Sequence, residues 1–276
     1  MDSYKSISVI IVSFKSKDKV LKLIKSISFR FSVIIIENSE DQSLKEEVKF
    51  LKNVKIFLKK NIGYGSAANF ARKNINTKYF LLCNPDIENI SDDKLNILHE
   101  EAESLGDNFL CLGPFYKNEK LQENSEIIKV KKISGACMLI NTKIFDLLKG
   151  FDENFFLYFE EDDLCKRGYK KKYYSYKTNK VFIDHNIGTS PTNLQKAEKE
   201  HIKELTLWHF IWSDFYFHSK HYGKIFSIII FIPTFLRIII KISLSFMIDN
   251  CEMKKKYKIR YSGLVNSIKG LKSSKR

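Results

Sequence analysis

Lys78-Tyr-Phe-Leu-Leu-Cys-Asn-Pro-Asp-Ile-Glu88 is the stretch whose reading decides the architecture. Tyr79 to Cys83 is a short, almost wholly apolar run that stops at Asn84-Pro85-Asp86. A run of this length bounded by a turn signal is the pattern of a strand buried on both faces of a parallel sheet. Pro85 has no N–H to give to a ladder, so the strand ends there. The chain thereby delivers an amide, Asn84, and a carboxylate, Asp86, to the carboxyl end of a central strand. In open α/β sheets that edge is where ligands bind.

Working outward, the flanking segments fit the same sheet. Ser6 to Phe14 is rich in Ile and Val, as a buried first strand should be, and Asp18 to Ser28 places Val20, Leu21, Leu23, Ile24 and Ile27 at helical spacing. Ser32 to Ile36 reads as a second strand ending in Glu37-Asn38-Ser39, Gln42 to Leu51 as a helix, and Val54 to Leu58 as a third strand. Asn61-Ile-Gly-Tyr-Gly-Ser-Ala-Ala-Asn69 is a glycine-containing turn that opens a helix running to about Asn74. Strands alternating with helices at this spacing mean βαβ units and a mostly parallel sheet flanked by helices. Beyond Asp86 the regularity fades. Ser91 to Ser104 reads as a helix with Asp92 and Asp93 in its first turn. Ile133 to Ile140, interrupted at Gly135-Ala136, reads as a strand passing close to another group. Tyr173 to Tyr176 and Lys180 to Ile183 read as two further strands, the second ending at Asp184-His185.

The totals bound the function. A 276-residue chain with 44% hydrophobic residues buries a core and is not disordered. Its net charge of +15 calls for an anionic partner: nucleic acid, an anionic membrane surface or a phosphorylated substrate. The five cysteines (Cys83, Cys111, Cys137, Cys165, Cys251) are scattered and form no C-x-x-C pair, which argues for reduced thiols and against a zinc site. The apolar run Ile7 to Val12 is followed at once by Lys15, Lys17 and Asp18, a pattern unlike a secretion signal.

Three polar clusters fall at strand ends or strand-to-helix turns: Glu37-Asn38-Ser39, Asn84-Pro85-Asp86, and Asn61 to Asn69. A parallel sheet gathers such ends on one rim. Gly63 and Gly65 permit close backbone approach, and the helix start that follows favours a phosphate. The quartet Glu160-Glu161-Asp162-Asp163 stands behind an aromatic loop, Phe151 to Phe159, and opens a short helix to about Gly168. Capping needs one acid, and four in a row repel one another, so the quartet points to a positioned general base. His185, at a strand end, is a candidate ligand or phosphate contact.

Taken together, the chain resembles the family 2 glycosyltransferases of the GT-A fold, in particular the bacterial rhamnosyltransferase-like branch that builds surface polysaccharides. The resemblance covers roughly residues 6–190. It is carried by Ile7-Ser-Val-Ile-Ile-Val-Ser-Phe14, Ile36-Glu-Asn-Ser39, Asn61 to Asn69, Leu82-Cys-Asn-Pro-Asp86, Ile133-Ser-Gly-Ala-Cys-Met-Leu-Ile140, Phe156-Leu-Tyr-Phe-Glu-Glu-Asp-Asp-Leu-Cys165 and His185-Asn-Ile-Gly-Thr-Ser190, in the expected order. It implies inverting transfer of a sugar from a nucleotide-diphosphate donor, a dTDP- or UDP-sugar, with dTDP-rhamnose the commonest label in the branch. Asp86 takes the place of the last carboxylate of the family's Asp-x-Asp motif, which holds a divalent metal, Mg2+ or Mn2+, on the donor diphosphate. Asn84 stands where that motif usually opens with Asp. His185 joins Asp86 as a metal candidate. Ser13, Glu37 and Asn38 fall at nucleoside-contacting positions, with Glu37 where Asp is usual. Asn61, Gly63 and Asn69 complete the donor-site candidates. In relatives the base is the Asp of a Glu-Asp pair. Glu160 matches the Glu, Glu161 takes the Asp position, and a slip of one residue passes the role to Asp162. Asp163 matches an acid the family also keeps, in a structural or acceptor-orienting role.

A composition change near Thr192 divides the chain into a catalytic domain, 1–192, and a helical, basic region, 193–276. Leu205 to Tyr222 mixes Trp208, Trp212 and other aromatics with basic residues, a composition that suits a membrane interface. Ile225 to Ile248 is interrupted by Pro233, Arg237 and Lys241, and its longest uncharged run, Ile225 to Leu236, is twelve residues against the roughly 20 that a span needs. An in-plane amphipathic helix fits better, followed by a basic tail from Lys254 to Arg276. The expected protein is therefore a monotopic enzyme on the cytoplasmic face of the plasma membrane, whose acceptor is a polyprenyl-diphosphate-linked glycan of O-antigen or capsule synthesis. Two other classes compete. A nucleic-acid-binding protein is prompted by the charge alone and lacks a recognised motif. A nucleotidyltransferase would carry a phosphate-gripping loop after the first strand, where Ser13-Phe14-Lys15-Ser16 stands instead.

Overall fold

The computed structural model describes residues 3–273 apart from 118, 120–125, 187, 189, 190 and 193. The first part of the chain runs α1 (Ser3–Ser6), β1 (Ile7–Ser13), α2 (Lys17–Lys25), β2 (Ser32–Glu37), α3 (Gln42–Val48), β3 (Val54–Leu58), α4 (Tyr64–Arg72) and β4 (Tyr79–Cys83). There follow β5 (Ile87–Glu88), α5 (Asp92–Ser104), β6 (Phe109–Tyr116), β7 (Ile127–Val130), β8 (Cys137–Asn141), α6 (Thr142–Leu147), α7 (Glu160–Lys170) and β9 (Tyr174–His185). Three long helices complete it: α8 (Lys196–Tyr222), α9 (Lys224–Met247) and α10 (Cys251–Ile268). The residues cluster into two compact units, one of Met1–Asp152 with Glu161–Asn193 and the other of Glu153–Glu160 with Leu194–Arg276. A cut at 192/193 leaves residues 153–160 with the sheet. They cluster instead with the helices, because Phe155 stacks edge-on to Tyr216 and Phe156 lies 4.6 Å from the His209 ring.

The first unit is built on one sheet, ordered β3-β2-β1-β4-β8-β6-β9-β5, with β7 also on β9. Pairing is parallel from β3 to β4, antiparallel at β4–β8 and β8–β6, and parallel again at β6–β9. The sheet is thus mixed, with its parallel half formed by the βαβ units. Every residue of β1 and β4 is buried, as expected of strands covered on both faces. Ile7, Val9 and Ile11 face one cluster with Leu23 of α2, Leu44 of α3 and Leu95 of α5. Ile10, Phe80 and Leu82 face the other, with Ala67, Ala68 and Ala71 of α4 and Leu164 of α7. Small alanines let α4 lie close to the strands, so the turn before it sits tight on the rim.

Two readings change. The strands expected at Tyr173–Tyr176 and Lys180–Ile183 are one continuous strand, β9, whose register with β6 slips between Pro114 and Phe115. The polar residues that suggested a break occupy this irregularity, where Lys180 is held by Glu101 and Glu126 at 2.7 Å each. Strand β6 was hidden by Gly113-Pro114, which reads as punctuation. Gly113 is required there because a Cβ would stand 2.7 Å from Ile133 Cγ2.

In the second unit, α8, α9 and α10 share a core of Ile211, Phe215, Phe231, Ile238 and Leu264. Trp208 and Trp212 belong to its interior, each about 3% exposed, and not to an exposed interface. The Trp208 indole donates to Ser262 Oγ at 3.3 Å and that of Trp212 to the Leu271 carbonyl at 3.1 Å. Gly263 sets the spacing of α8 and α10: a Cβ there would come within 2.6 Å of the Trp208 carbonyl and 2.8 Å of Ile211 Cγ2. Gly263→Val should force the helices apart at a cost of about 1–3 kcal/mol. Both tryptophans lie on α8, so a lowered thermal midpoint in their fluorescence checks it.

Candidate active site

The parallel register builds the rim. Ser13, the last residue of β1, is level with Glu37, the last of β2, while Ile11 pairs with Cys83 and so brings Asn84 alongside. Asn84 is turned back by its own N–H, which donates to the Ala136 carbonyl at 2.8 Å. Four buried polar atoms here have no hydrogen-bond partner in the protein: Ser13 Oγ, Glu37 Oε2, Asn38 Oδ1 and Asn84 Oδ1. Each such atom costs about 1–3 kcal/mol. Their gathering at the carboxyl ends of β1, β2 and β4 marks a surface arranged for a polar ligand. Glu37 is fully buried, its Oε1 accepting the Ser39 N–H at 2.8 Å and the Ser39 hydroxyl. The Ser39 hydroxyl also accepts the Lys15 N–H at 3.2 Å.

The glycine turn closes on this rim. Asn38 Nδ2 donates to the Gly63 carbonyl at 3.2 Å, and the Gly63 N–H donates to Asn61 Oδ1 at 3.2 Å. Gly63 has φ of +88°, a conformation that favours glycine. Asn69, at the far end of the turn sequence, does other work. Its Nδ2 donates to the Phe151 carbonyl and its Oδ1 accepts the Phe151 N–H, both at 2.9 Å. That two-way clamp shapes the chain ahead of α7.

Asp86 and His185 meet. β5 pairs with the end of β9, Ile87 opposite His185, and the imidazole Nε2 lies 3.4 Å from Asp86 Oδ1. Asp86 is 2% exposed. The Tyr116 ring, at the end of β6, lies 5.7 Å from the His185 ring, a neighbour that nothing in the residue pattern singled out. No group of three or more His, Cys, Asp or Glu side chains able to hold a metal occurs among the described residues.

The acidic helix approaches through Gly135. The Gly135 carbonyl accepts the Tyr64 hydroxyl at 2.6 Å, and its N–H donates to Glu161 Oε1 at 3.4 Å. The neighbouring peptide, at Ala136, holds Asn84, so Glu161 and the Asn84 turn are fixed to adjacent peptides. A Cβ on Gly135 would lie 3.5 Å from the Glu161 carboxyl, an ordinary contact distance. Burial first, and then the Asp162 carboxylate, push the Glu161 carboxyl above the ordinary glutamate range. Asp162 is paired with Lys132 at 3.2 Å. Glu160 is buried and opens α7. Before it, Tyr158 and Phe159 hold φ of 70° and 69°, a strained pair of the kind found near functional sites.

Asp163 is fully buried and anchors the helix. Arg167 Nε donates to its Oδ2 at 2.7 Å, while Nη1 and Nη2 donate to the Leu148 and Gly150 carbonyls at 2.5 and 2.7 Å. Arg167 escaped the sequence reading; its place four residues after Asp163 on a helix was the available signal.

Nine strands ordered in this way with an acid-bearing rim define a GT-A glycosyltransferase fold. Mannosyltransferase PcManGT from Pyrobaculum calidifontis, solved with GDP-Man and Mn2+, shares it with a TM-score of 0.56 over 95% of this chain and 86% of its own, at 10% identity. The chain belongs to glycosyl transferase family 2, whose profile matches residues 8–165. It is 24% identical over 186 residues to the low-salt glycan biosynthesis hexosyltransferase Agl10 of Haloferax volcanii, covering 58% of this chain and 61% of that one. It is 26% identical over 198 residues to rhamnosyltransferase WbbL of Escherichia coli K12, covering 58% and 75%.

Arg167→Ala leaves the Asp163 carboxylate buried without its cation, which should cost about 3–5 kcal/mol. Arg167→Lys restores charge without the fork to Leu148 and Gly150, so activity should fall more than stability. Thermal melts beside glycosyl-transfer rates separate the two.

Proposed function

We propose that this protein transfers a hexosyl or deoxyhexosyl group, with inversion, from a nucleotide-diphosphate sugar to a lipid-linked glycan. The observation that carries the reading is the set of orphaned polar atoms on the rim of β1, β2 and β4, beside the Asp86–His185 pair and one peptide away from Glu161. PcManGT, in its complex with GDP-Man and Mn2+, supports the donor class and the ion. Agl10 and WbbL support a role in glycan synthesis and the hexose or rhamnose identity.

In this reading Ser13, Glu37 and Asn38 hold the nucleoside, each with a buried oxygen left for it. Asn61 and Gly63 shape the turn that faces the donor. Asp86 carries the metal, with His185 and the Asn84 amide oxygen beside it. A carboxylate, an amide oxygen and an imidazole suit Mn2+ or Mg2+ as a partial set, which phosphate oxygens of the donor would complete. Such an ion, when bound, neutralises charge on the leaving diphosphate. Glu161 takes the proton from the acceptor hydroxyl, and its raised proton affinity strengthens it as a base near neutral pH. Glu160 and Asp162 flank it.

The C-terminal helices support an enzyme that works at a membrane. α9 has mean hydropathy 2.3 and 24 residues, long and apolar enough to cross a bilayer by length and composition. Only Ser227, Phe231, Ile238 and Ser245 of it are buried, a stripe at helical spacing, while Ile225, Ile229, Ile232, Leu236 and Ile240 are exposed. α10 packs along it and carries Lys254, Lys255, Lys256, Lys258 and Arg260, charges that would be drawn into hydrocarbon if α9 spanned. These features support a helix that lies in the interface, with anionic lipid as partner, and with this reading the enzyme works on the cytoplasmic face.

Asp86→Ala should abolish transfer and remove the Mn2+-dependent part of the thermal shift given by UDP- or dTDP-sugars. Near-normal turnover in this variant would reject the assignment. Glu161→Gln should lower the rate about 10²–10⁴-fold with donor binding kept. Asp162→Asn removes a charge that raises the Glu161 proton affinity, so the acid limb of kcat/KM should move to lower pH. If Asp162→Asn is simply inactive and Glu161→Gln is not, Asp162 is the base.

A further inference from the structure

The strongest feature outside the rim is a cationic ridge along α7. Residues 127–132 and 164–174 together hold Lys129, Lys131, Lys132, Lys166, Arg167, Lys170, Lys171 and Lys172 and not one acid. The fold brings the two stretches together. β7 runs antiparallel to β9, Val130 opposite Ser175, and β9 begins just after Lys170–Lys172. Lys131 therefore leaves β7 beside the end of α7, and Lys132 follows it toward the start of the helix. Among the described residues, Lys129, Lys131, Lys170, Lys171 and Lys172 have no ion-pair partner, whereas Lys117 and the β9 residues Lys177 and Lys180 are each paired with an acid. The helix dipole accounts for cations in the last turn of α7, but not for those that arrive from β7.

Two tyrosines give the ridge a floor. The Tyr169 and Tyr174 rings lie 5.5 Å apart, and the Lys129 ammonium sits 3.0 Å from the Tyr174 ring centre. At its other end the ridge reaches the base, since Lys132 pairs with Asp162, the residue after Glu161. From Glu161 to Tyr169, whose ring centre lies 5.7 Å from the Lys129 ammonium, is about 12 Å along the helix. That is room for a short saccharide between a hydroxyl at Glu161 and an anionic group on the lysines.

We infer that this ridge binds the diphosphate of the acceptor, with the glycan running along α7 to Glu161. The inference rests on the lipid-linked acceptor proposed above and assigns its anchoring residues. Five unpaired ammonium groups fit a compact polyanion, and the tyrosines add hydrogen-bonding hydroxyls.

The test is binding of farnesyl diphosphate, inorganic pyrophosphate and farnesol to the full chain in EDTA, which suppresses metal-dependent binding at the donor site. Wild type should bind both diphosphates and not farnesol. Lys129→Gln/Lys131→Gln/Lys171→Gln should weaken both about tenfold or more, with Asp86→Asn unchanged and binding to phosphatidylcholine–phosphatidylglycerol vesicles retained. Equal binding by the triple variant, or loss in Asp86→Asn instead, overturns the site. Loss of vesicle binding with diphosphate binding kept overturns it too and makes the ridge a bilayer contact. If the diphosphates bind at the ridge but never compete with acceptor in transfer assays, the site stands and the acceptor reading fails.

Discussion

The buried Asp163–Arg167 pair is the constraint on which the catalytic side of the molecule depends. α7 begins with four acids in succession, and nothing in that sequence holds like charges together. Asp163 is fully buried, and Arg167 meets it at 2.7 Å while gripping the carbonyls of Leu148 and Gly150. Those carbonyls belong to the turn that Asn69 clamps through Phe151. Arg167 and Asn69 thus fasten α7 and α4 to one segment.

The rim follows from a different economy. A parallel sheet aligns its strand ends, and here the aligned ends are Ser13, Glu37 and Asn84. Leaving several oxygens there buried and unpartnered destabilises the protein by itself. The Ile- and Val-rich strands beneath, buried on both faces, offset that cost. Gly135 links the rim to α7: its carbonyl accepts the Tyr64 hydroxyl and its N–H donates to Glu161, so one residue ties α4 and α7 together.

The second unit divides its apolar surface between two uses. Aromatics of α8 turn inward, where Trp208 and Trp212 find hydrogen-bond partners for their indole N–H groups. α9 spends one stripe on that core and exposes the rest, a contiguous apolar face of the kind that marks an interaction surface.

What the sequence determined by itself is the parallel half of the sheet and the identity of the rim. Continuous apolar runs ended by polar turns read directly as β1, β2 and β4, and the residues after them are the ones the structure gathers. The meeting of Asp86 with His185 was also within reach, because both close a strand. Tertiary structure decided the rest. β6 and the continuity of β9 were illegible because Gly113-Pro114 and Thr178-Asn179-Lys180 carry loop composition, and pairing across the sheet overrides it. Asn69, alike in sequence to a ligand contact, became a clamp because Phe151 arrives beside it from 82 positions away. Arg167, Tyr116 and Gly135 drew their roles from distant partners. Local composition sets which groups a segment offers; only packing sets which of them face one another.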